Sequence, residues 1–439
     1  MNFGLENILF LIVLVGAVFA FSRSFGKIWR NINLGKSINR SDRPSQRWKR
    51  MIKVSLGQTK MVRRRYVAGF FHVVIYAGFI LINIEVLEIV LDGVLGTHRL
   101  FASPLGGLYD AAIHFFEILA VGVIVACVVF LWRRNVKVVP RFKDLKGWPK
   151  LDGNNILIIE IVLMVALLSL GAIEGNLQGE KYSHGPWVVS SFMAPWFADF
   201  SQNTLHILER SAWWLHIVGI LLFLNYLPIS KHFHIILAFP NVWHSKLEEP
   251  GQFTNDEKVK KEVEMMMDPN ADPYAAPADG AENEEPERFG AKDVIDLHRI
   301  QLMNAYSCTE CGRCTAACPA NLTGKKLSPR KIMMDTRDRL EEVGKNVDAN
   351  KGQFKDDGKS LLNDYITKEE LWACTTCNAC AEACPVNIDP MSIIVDMRRY
   401  LVMEESAASQ QVNMMMTNIE NNGAPWAYAQ ADRANWITE

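Results

Sequence analysis

Long apolar runs crowd the first 240 residues of the chain and are almost absent from residues 245–439. Five of them, near residues 4–23, 66–92, 107–132, 154–175 and 211–231, are long enough to cross a bilayer as helices, which takes about 20 residues each. The first opens MNFGLEN, with Glu6 and no basic residue, and no small-x-small cleavage site precedes Ser22. It therefore reads as an uncleaved span and not as a signal peptide. Further on the periodicity is that of short soluble helices. GAKDVIDLHRIQLMNAYS is apolar at helical spacing, Ser328-Pro329 and Asp389-Pro390 each open a helix, and TKEELWAC carries the S/T-x-x-E capping box. The predicted fold is all-α, with a transmembrane bundle over 1–240 and a helical soluble domain over 290–405. Residues 241–289 join them, centred on DPNADPYAAPADGAENEEPE at 268–287, which has seven acidic residues, four prolines and no base. That composition cannot bury a core and predicts a flexible tether. Residues 406–439 form a tail available for docking a partner.

A formal net charge of −1 hides a strong segregation of charge. Residues 23–65 hold 14 Lys or Arg, ending in Arg63, Arg64 and Arg65, and residues 133–150 add seven. The alternate loops are nearly bare, with only Arg99 in 93–104 and only Lys181 in 176–208. The positive-inside rule then puts the N-terminus outside and the soluble domain in the cytoplasm, as in a multi-pass protein of a bacterial-type inner membrane. No feature points to nucleic acid.

Eight of the nine cysteines fall in two runs, CTECGRCTAACP at 308–319 and CTTCNACAEACP at 374–385. Each is C-x2-C-x2-C-x3-C-P. A disulfide framework or paired zinc sites would use different spacings, since zinc takes four ligands in two pairs. Three closely spaced thiolates instead suit three corners of a [4Fe–4S] cube, and the fourth cysteine of such a run ligates the other cluster. The predicted ligands are Cys308, Cys311, Cys314 and Cys384 for one cluster, and Cys374, Cys377, Cys380 and Cys318 for the second. Such clusters need a reducing compartment, which agrees with the charge argument. The ninth cysteine, Cys127, lies in span three and reads as packing.

Histidines inside spans are costly and usually functional. His72 lies about two turns into span two from the cytoplasmic side, and His114 and His216 lie at similar depths from the outside in spans three and five. His234 follows His216 by 18 residues, which at 100° per residue returns to the same helix face about 27 Å further along. His232 is expected to point the other way, and Pro228 loosens the phase. One axial ligand near each membrane surface is what two stacked b-type haems need, and matching depths pair His72 with His234 and His114 with His216.

With FFHVVIYAGF, WLHIVGILLF and PISKHFHI in these positions, residues 1–240 resemble the di-haem cytochrome b subunit of respiratory nitrate reductases. That family usually has a second histidine ten residues after the one matching His72, where this chain has Ile82. The resemblance implies an inner haem, and an outer one if His114 has become the ligand. Residues 290–430 resemble the α-helical ferredoxin of heterodisulfide reductase-like iron–sulfur proteins, although the CCG cysteine motifs of their disulfide chemistry are missing. Together the two imply a haem-binding bundle followed by a cytoplasmic two-cluster ferredoxin domain.

Glu117, one turn from His114, and Glu160, in the inner half of span four, are candidates for carrying protons to a quinone, though paired structural carboxyls explain them equally well. The expected function is respiratory electron transfer between two [4Fe–4S] clusters, one or two b-type haems and menaquinone or ubiquinone in the lipid. No substrate site is evident, so a soluble CCG-type or flavin-containing partner is expected. A membrane-anchored iron–sulfur assembly or sensing protein, without haem, is the alternative.

Overall fold

The computed structural model describes residues 4–178, 187–249, 251–269 and 288–438, so most of the acidic tether and Lys181 lie outside the described residues. Among the described residues the regular elements are helices. Five are long and apolar enough to cross a membrane: α1 (Leu5–Ile32), α2 (Tyr66–Leu95), α3 (Gly107–Asn135), α4 (Trp148–Glu174) and α5 (Gln202–Tyr226). They close a ring in which each packs on the next and α5 returns to α1. Small residues permit the close approaches. A Cβ on Gly78 of α2 would lie 2.5 Å from Val123 Cγ2 of α3, and one on Gly219 of α5 would lie 2.7 Å from Leu163 Cδ2 of α4.

Helix α5 starts at Gln202, ahead of the expected 211. Ser201 caps it by accepting the Thr204 N–H at 3.3 Å, and Glu209, which interrupts the apolar pattern, is buried and paired with Arg210. Its other end corrects the expectation of one continuous span to His234. The chain leaves the helix through a 3₁₀ turn at Leu227–Ile229 that contains Pro228. Ser230 is extended (φ −117°, ψ 152°), and a new helix, α6 (His234–Trp243), begins at the histidine itself. Pro228 cannot complete the helical ladder. Asp152 of α4 then fixes the break, accepting from Tyr226 Oη at 2.6 Å, Ser230 Oγ at 2.7 Å and the Lys231 N–H at 3.0 Å. The 18-residue phase argument therefore does not apply, because His216 and His234 sit on different helices.

At the opposite end of the ring, Arg99, the lone base of its loop, organises the carboxylates. It pairs with Glu174 at 2.6 Å, lies 3.8 Å from Glu85, and stacks 4.2 Å over the Trp187 ring. Glu88 accepts from Tyr109 Oη at 2.8 Å and from the Phe101 N–H at 2.7 Å.

The polar unit comprises α7 (Arg299–Ser307), α8 (Arg313–Ala317), α9 (Pro329–Ala349), α10 (Ala379–Ala383), α11 (Pro390–Met403) and α12 (Gln410–Asn422). The predicted caps form. Ser328 accepts the Lys331 N–H, Asp389 accepts the Ser392 N–H, and Thr367 and Glu370 make the reciprocal box. The unit sits against the basic-loop end of the ring. Asn31 of α1 donates to Tyr306 Oη at 2.9 Å, and Asn241, assigned to the linker by sequence, donates from α6 to the Val386 carbonyl at 2.7 Å.

After α1, Lys36 pairs with residue 298 as an isolated bridge, donating to Leu297 O at 2.8 Å and accepting from the Arg299 N–H at 3.0 Å. Gly35 makes room for this crossing, since a Cβ there would meet Leu297 O at 2.6 Å and the Arg299 nitrogen at 2.9 Å, both backbone. Gly35→Ala should therefore destabilise the junction by roughly 1–3 kcal/mol. A thermal midpoint equal to wild type in detergent would refute the close crossing.

Candidate redox site

The two cysteine runs fold alike. Glu310 and Thr376 have φ of 56° and 55°, and Gly312 and Asn378 have φ of 70° and 60°, so each run makes two left-handed turns at matching positions. Alternation of this kind turns successive backbone N–H groups toward one concavity, which favours an anion such as a thiolate-ligated cluster. The single-turn helices α8 and α10 follow, presenting the third cysteine of each run, and Pro319 and Pro385 come directly after the fourth.

Each last cysteine has thiols of the other run among its electrostatic neighbours. Cys384 has Cys311 and Cys314 as electrostatic neighbours, and Cys318 has Cys374 and Cys380, although Cys314 also senses Cys380. Among the described residues no three His, Cys, Asp or Glu side chains converge on a single ion. A cube differs from a single ion in that each cysteine takes its own iron. Burial pushes the Cys308 thiol up to about 12 and that of Cys384 up to about 11, so these sulfurs gain charge only against a strong cation such as iron. Guanidinium and ammonium groups hold the loops: Arg141 donates to Cys311 O at 2.8 Å, Arg398 to Cys374 O at 2.6 Å, and Lys60 to Ala381 O at 3.2 Å. The chemistry of the donor set thus fits two anionic clusters.

A cavity of 360 Å³ joins the polar unit to the ring. Cys308, Cys311, Cys314 and Cys384 line it on one side, and His72, His232 and His234 on the other. His234 donates from Nδ1 to the Lys231 carbonyl at 3.1 Å. A carbonyl can only accept, so the proton is on Nδ1 and Nε2 keeps a free lone pair, the arrangement common in metal-bound histidine. His72 Nδ1 is buried without a partner. Arg133, Arg134 and Arg141 also line the cavity and suit the carboxylate-bearing edge of a haem. A haem on His72 and His234 therefore fits the residues present.

His232, expected to face away, lines the same cavity because the helix breaks at Pro228. Its ring is 5.6 Å from that of His234 and nearly perpendicular to it, with Nε2 buried and unpartnered. Burial pulls its basicity down to about 3, so it is neutral.

Between the cysteines and the histidines runs a buried ionic contact that sequence reading missed. Lys231 Nζ lies 2.6 Å from Glu310, the residue before Cys311, and 3.8 Å from Asp152; Arg337 holds the other Glu310 oxygen at 2.7 Å. Lys231 thus contacts the first cysteine loop through its side chain and orients His234 through its carbonyl.

The remaining candidates are placed elsewhere. His114 Nδ1 accepts the Val188 N–H at 2.9 Å, which leaves its proton on Nε2 and no lone pair for iron. His216 donates from Nδ1 to Leu163 O of α4 at 3.0 Å, and its Nε2 is buried and unpartnered. The two are tied to different neighbours, Val188 and Leu163. Ile82 is buried in the core. Glu117 accepts the Val189 and Ser190 N–H groups at 2.7 and 3.1 Å, both through one carboxylate oxygen. Glu160 and Cys127 line the cavity.

Residues 307–388 match the family described as the 4Fe-4S dicluster domain, so the polar unit is an iron–sulfur domain. Over 98% of its length the chain is 30% identical to a protein of Bacillus subtilis named as a probable iron–sulfur-binding oxidoreductase, FadF, covering 61% of that relative. It is 26% identical over its whole length to an EtfAB:quinone oxidoreductase of Syntrophomonas wolfei, covering 60% of it. A stretch making up 34% of the chain is 31% identical to a probable membrane-anchored ferredoxin of Chromohalobacter salexigens, covering 24% of it. The chain therefore spans about three fifths of the length of the first two relatives. No solved structure matches it.

Lys231→Met would leave Glu310 buried with Arg337 as its remaining ionic partner. The expected loss is roughly 1–3 kcal/mol, below the full cost of stranding a buried charge. Thermal unfolding with iron retained would show it, and an unchanged midpoint would mean that the contact does not hold the two halves together.

Proposed function

We propose that this chain is a membrane-bound electron-transfer subunit that links a soluble redox partner to quinone through two [4Fe–4S] clusters and one b-type haem. The observation that carries the reading is the shared cavity, with four cysteines of the iron–sulfur domain on one side and His72 and His234 on the other. When bound, clusters and haem supply one-electron carriers, and the protein supplies their binding, orientation and electrostatics. Cys308, Cys311, Cys314 and Cys384 hold the first cluster, and Cys374, Cys377, Cys380 and Cys318 the second, whose Cys377 is exposed and gives a partner access. The relatives' names support oxidoreductase work, and one names EtfAB and quinone. A flavin-containing or CCG-type donor is the partner that agrees with those names. The basic loops orient the iron–sulfur domain toward the cytoplasm of a bacterial-type cell. Protease added to intact cells should then leave this domain uncut.

His72→Ala or His234→Ala should abolish the b-type band in a reduced-minus-oxidised spectrum, while His216→Ala and His114→Ala should keep it. A wild-type protein with full clusters and no such band would defeat the haem assignment and favour a sensing or assembly role. Iron analysis should give about eight atoms per chain, four for each cube. Cys318→Ser should damage the cluster bound mainly by the second run; damage confined to the first would show that the last cysteines are not exchanged.

A further inference from the structure

One side of the cavity is not explained by cluster or haem ligands. Tyr76, one turn after His72 on α2, lines it with its hydroxyl buried and unpartnered. Glu160 of α4 lines it too, and among the described residues its carboxyl has no hydrogen-bond or ion-pair partner. An ionisable group left single at bilayer depth is costly and marks a functional site. Beside them Phe79 and Ile80 also line the cavity and are 39% and 43% exposed on α2, a helix long and apolar enough to cross a membrane. An apolar, open flank on such a helix suits an occupant that arrives from lipid. A bound occupant has to enter from lipid, accept hydrogen bonds and exchange protons, and a quinone headgroup meets all three conditions.

We propose that this side of the cavity is a quinone site, with the Tyr76 hydroxyl donating to the headgroup and the Glu160 carboxyl transferring its protons. The site rests on the electron-transfer reading above and fixes where that path ends, in the half of the ring next to the iron–sulfur domain. Reduction of one quinone to hydroquinone takes two electrons, delivered singly from the soluble partner through the chain's carriers, and two protons. Glu160 delivers each proton to a quinone oxygen and is reprotonated from water at the basic-loop end, where Gln58 and Ser55 line the same cavity. Hydroquinone oxidation runs the same steps backwards.

The test uses full-length, cluster-loaded protein in detergent and the fluorescent quinol analogue 2-heptyl-4-hydroxyquinoline N-oxide, whose quenching reports binding without turnover. Wild type should bind it in a one-to-one ratio. Tyr76→Phe and Glu160→Gln should each weaken binding roughly threefold to tenfold, the effect of one lost hydrogen bond. Cluster absorbance should stay unchanged, and Glu117→Gln should bind like wild type. Glu160→Gln should also slow reoxidation of the b-type chromophore by a soluble quinone. Equal binding by wild type, Tyr76→Phe and Glu160→Gln would overturn the site, as would weakening by Glu117→Gln alone. A wild-type protein lacking the b-type band would count against the electron path, whereas the binding titration would still decide the site.

Discussion

A charged side chain at the boundary between an apolar bundle and a folded domain is tolerated only if it is paired, and Lys231 is paired on two sides. Glu310 lies at 2.6 Å and Asp152 at 3.8 Å, all three nearly buried. Asp152 also fixes the chain break after α5, so one carboxylate of α4 determines where His232 and His234 emerge. Glu310 occupies a left-handed turn inside the first cysteine run, held by Arg337 from α9. Removing one member takes an ionic partner from a buried charge, which costs more than losing a surface pair. Lys231 thereby ties the first cysteine loop to the segment that carries the histidines.

The basic loops have a second use beyond topology. Arg313, inside the first run, donates to the Met61 carbonyl at 2.9 Å, Lys60 reaches Asn387 at 2.9 Å, and Arg141 reaches the Cys311 carbonyl at 2.8 Å. The loops that hold so many bases at this end of the bundle are therefore the loops that clasp the iron–sulfur domain. Cations gathered around an anionic cluster stabilise its reduced, more negative state, so the docking surface also tunes potential.

Much of this was legible in the sequence because the signals are local or periodic. The spans follow from apolar length, the caps at Ser328, Thr367 and Asp389 from short-range hydrogen bonding, and the iron–sulfur motif from cysteine spacing. The histidines were half legible. Depth counting brought His72 and His234 to one place, but the helical phase assumed that α5 runs through Pro228, and the Asp152 contacts that break it come from another helix. The same break turns His232 into the cavity. For His114, residue type and depth suggested a ligand, whereas the backbone of the 187–190 segment takes its lone pair. Long-range partners of that kind leave no mark in a local pattern, although a lysine directly after a proline-broken span was a signal that could have been read.

The buried carboxylates show which end of the ring is chemically open. At the end away from the iron–sulfur domain, Glu85 and Glu174 share Arg99, Glu88 binds Tyr109 and the Phe101 amide, and Glu117 binds two amides. Partnered groups of this type rigidify a loop. Glu160 is buried at the other end with an open cavity before it and the histidines and cysteines around that cavity. An unpaired buried carboxyl stabilises nothing in a purely structural ring and carries a desolvation cost. On the quinone reading proposed above, this is the group that supplies protons where the electrons arrive.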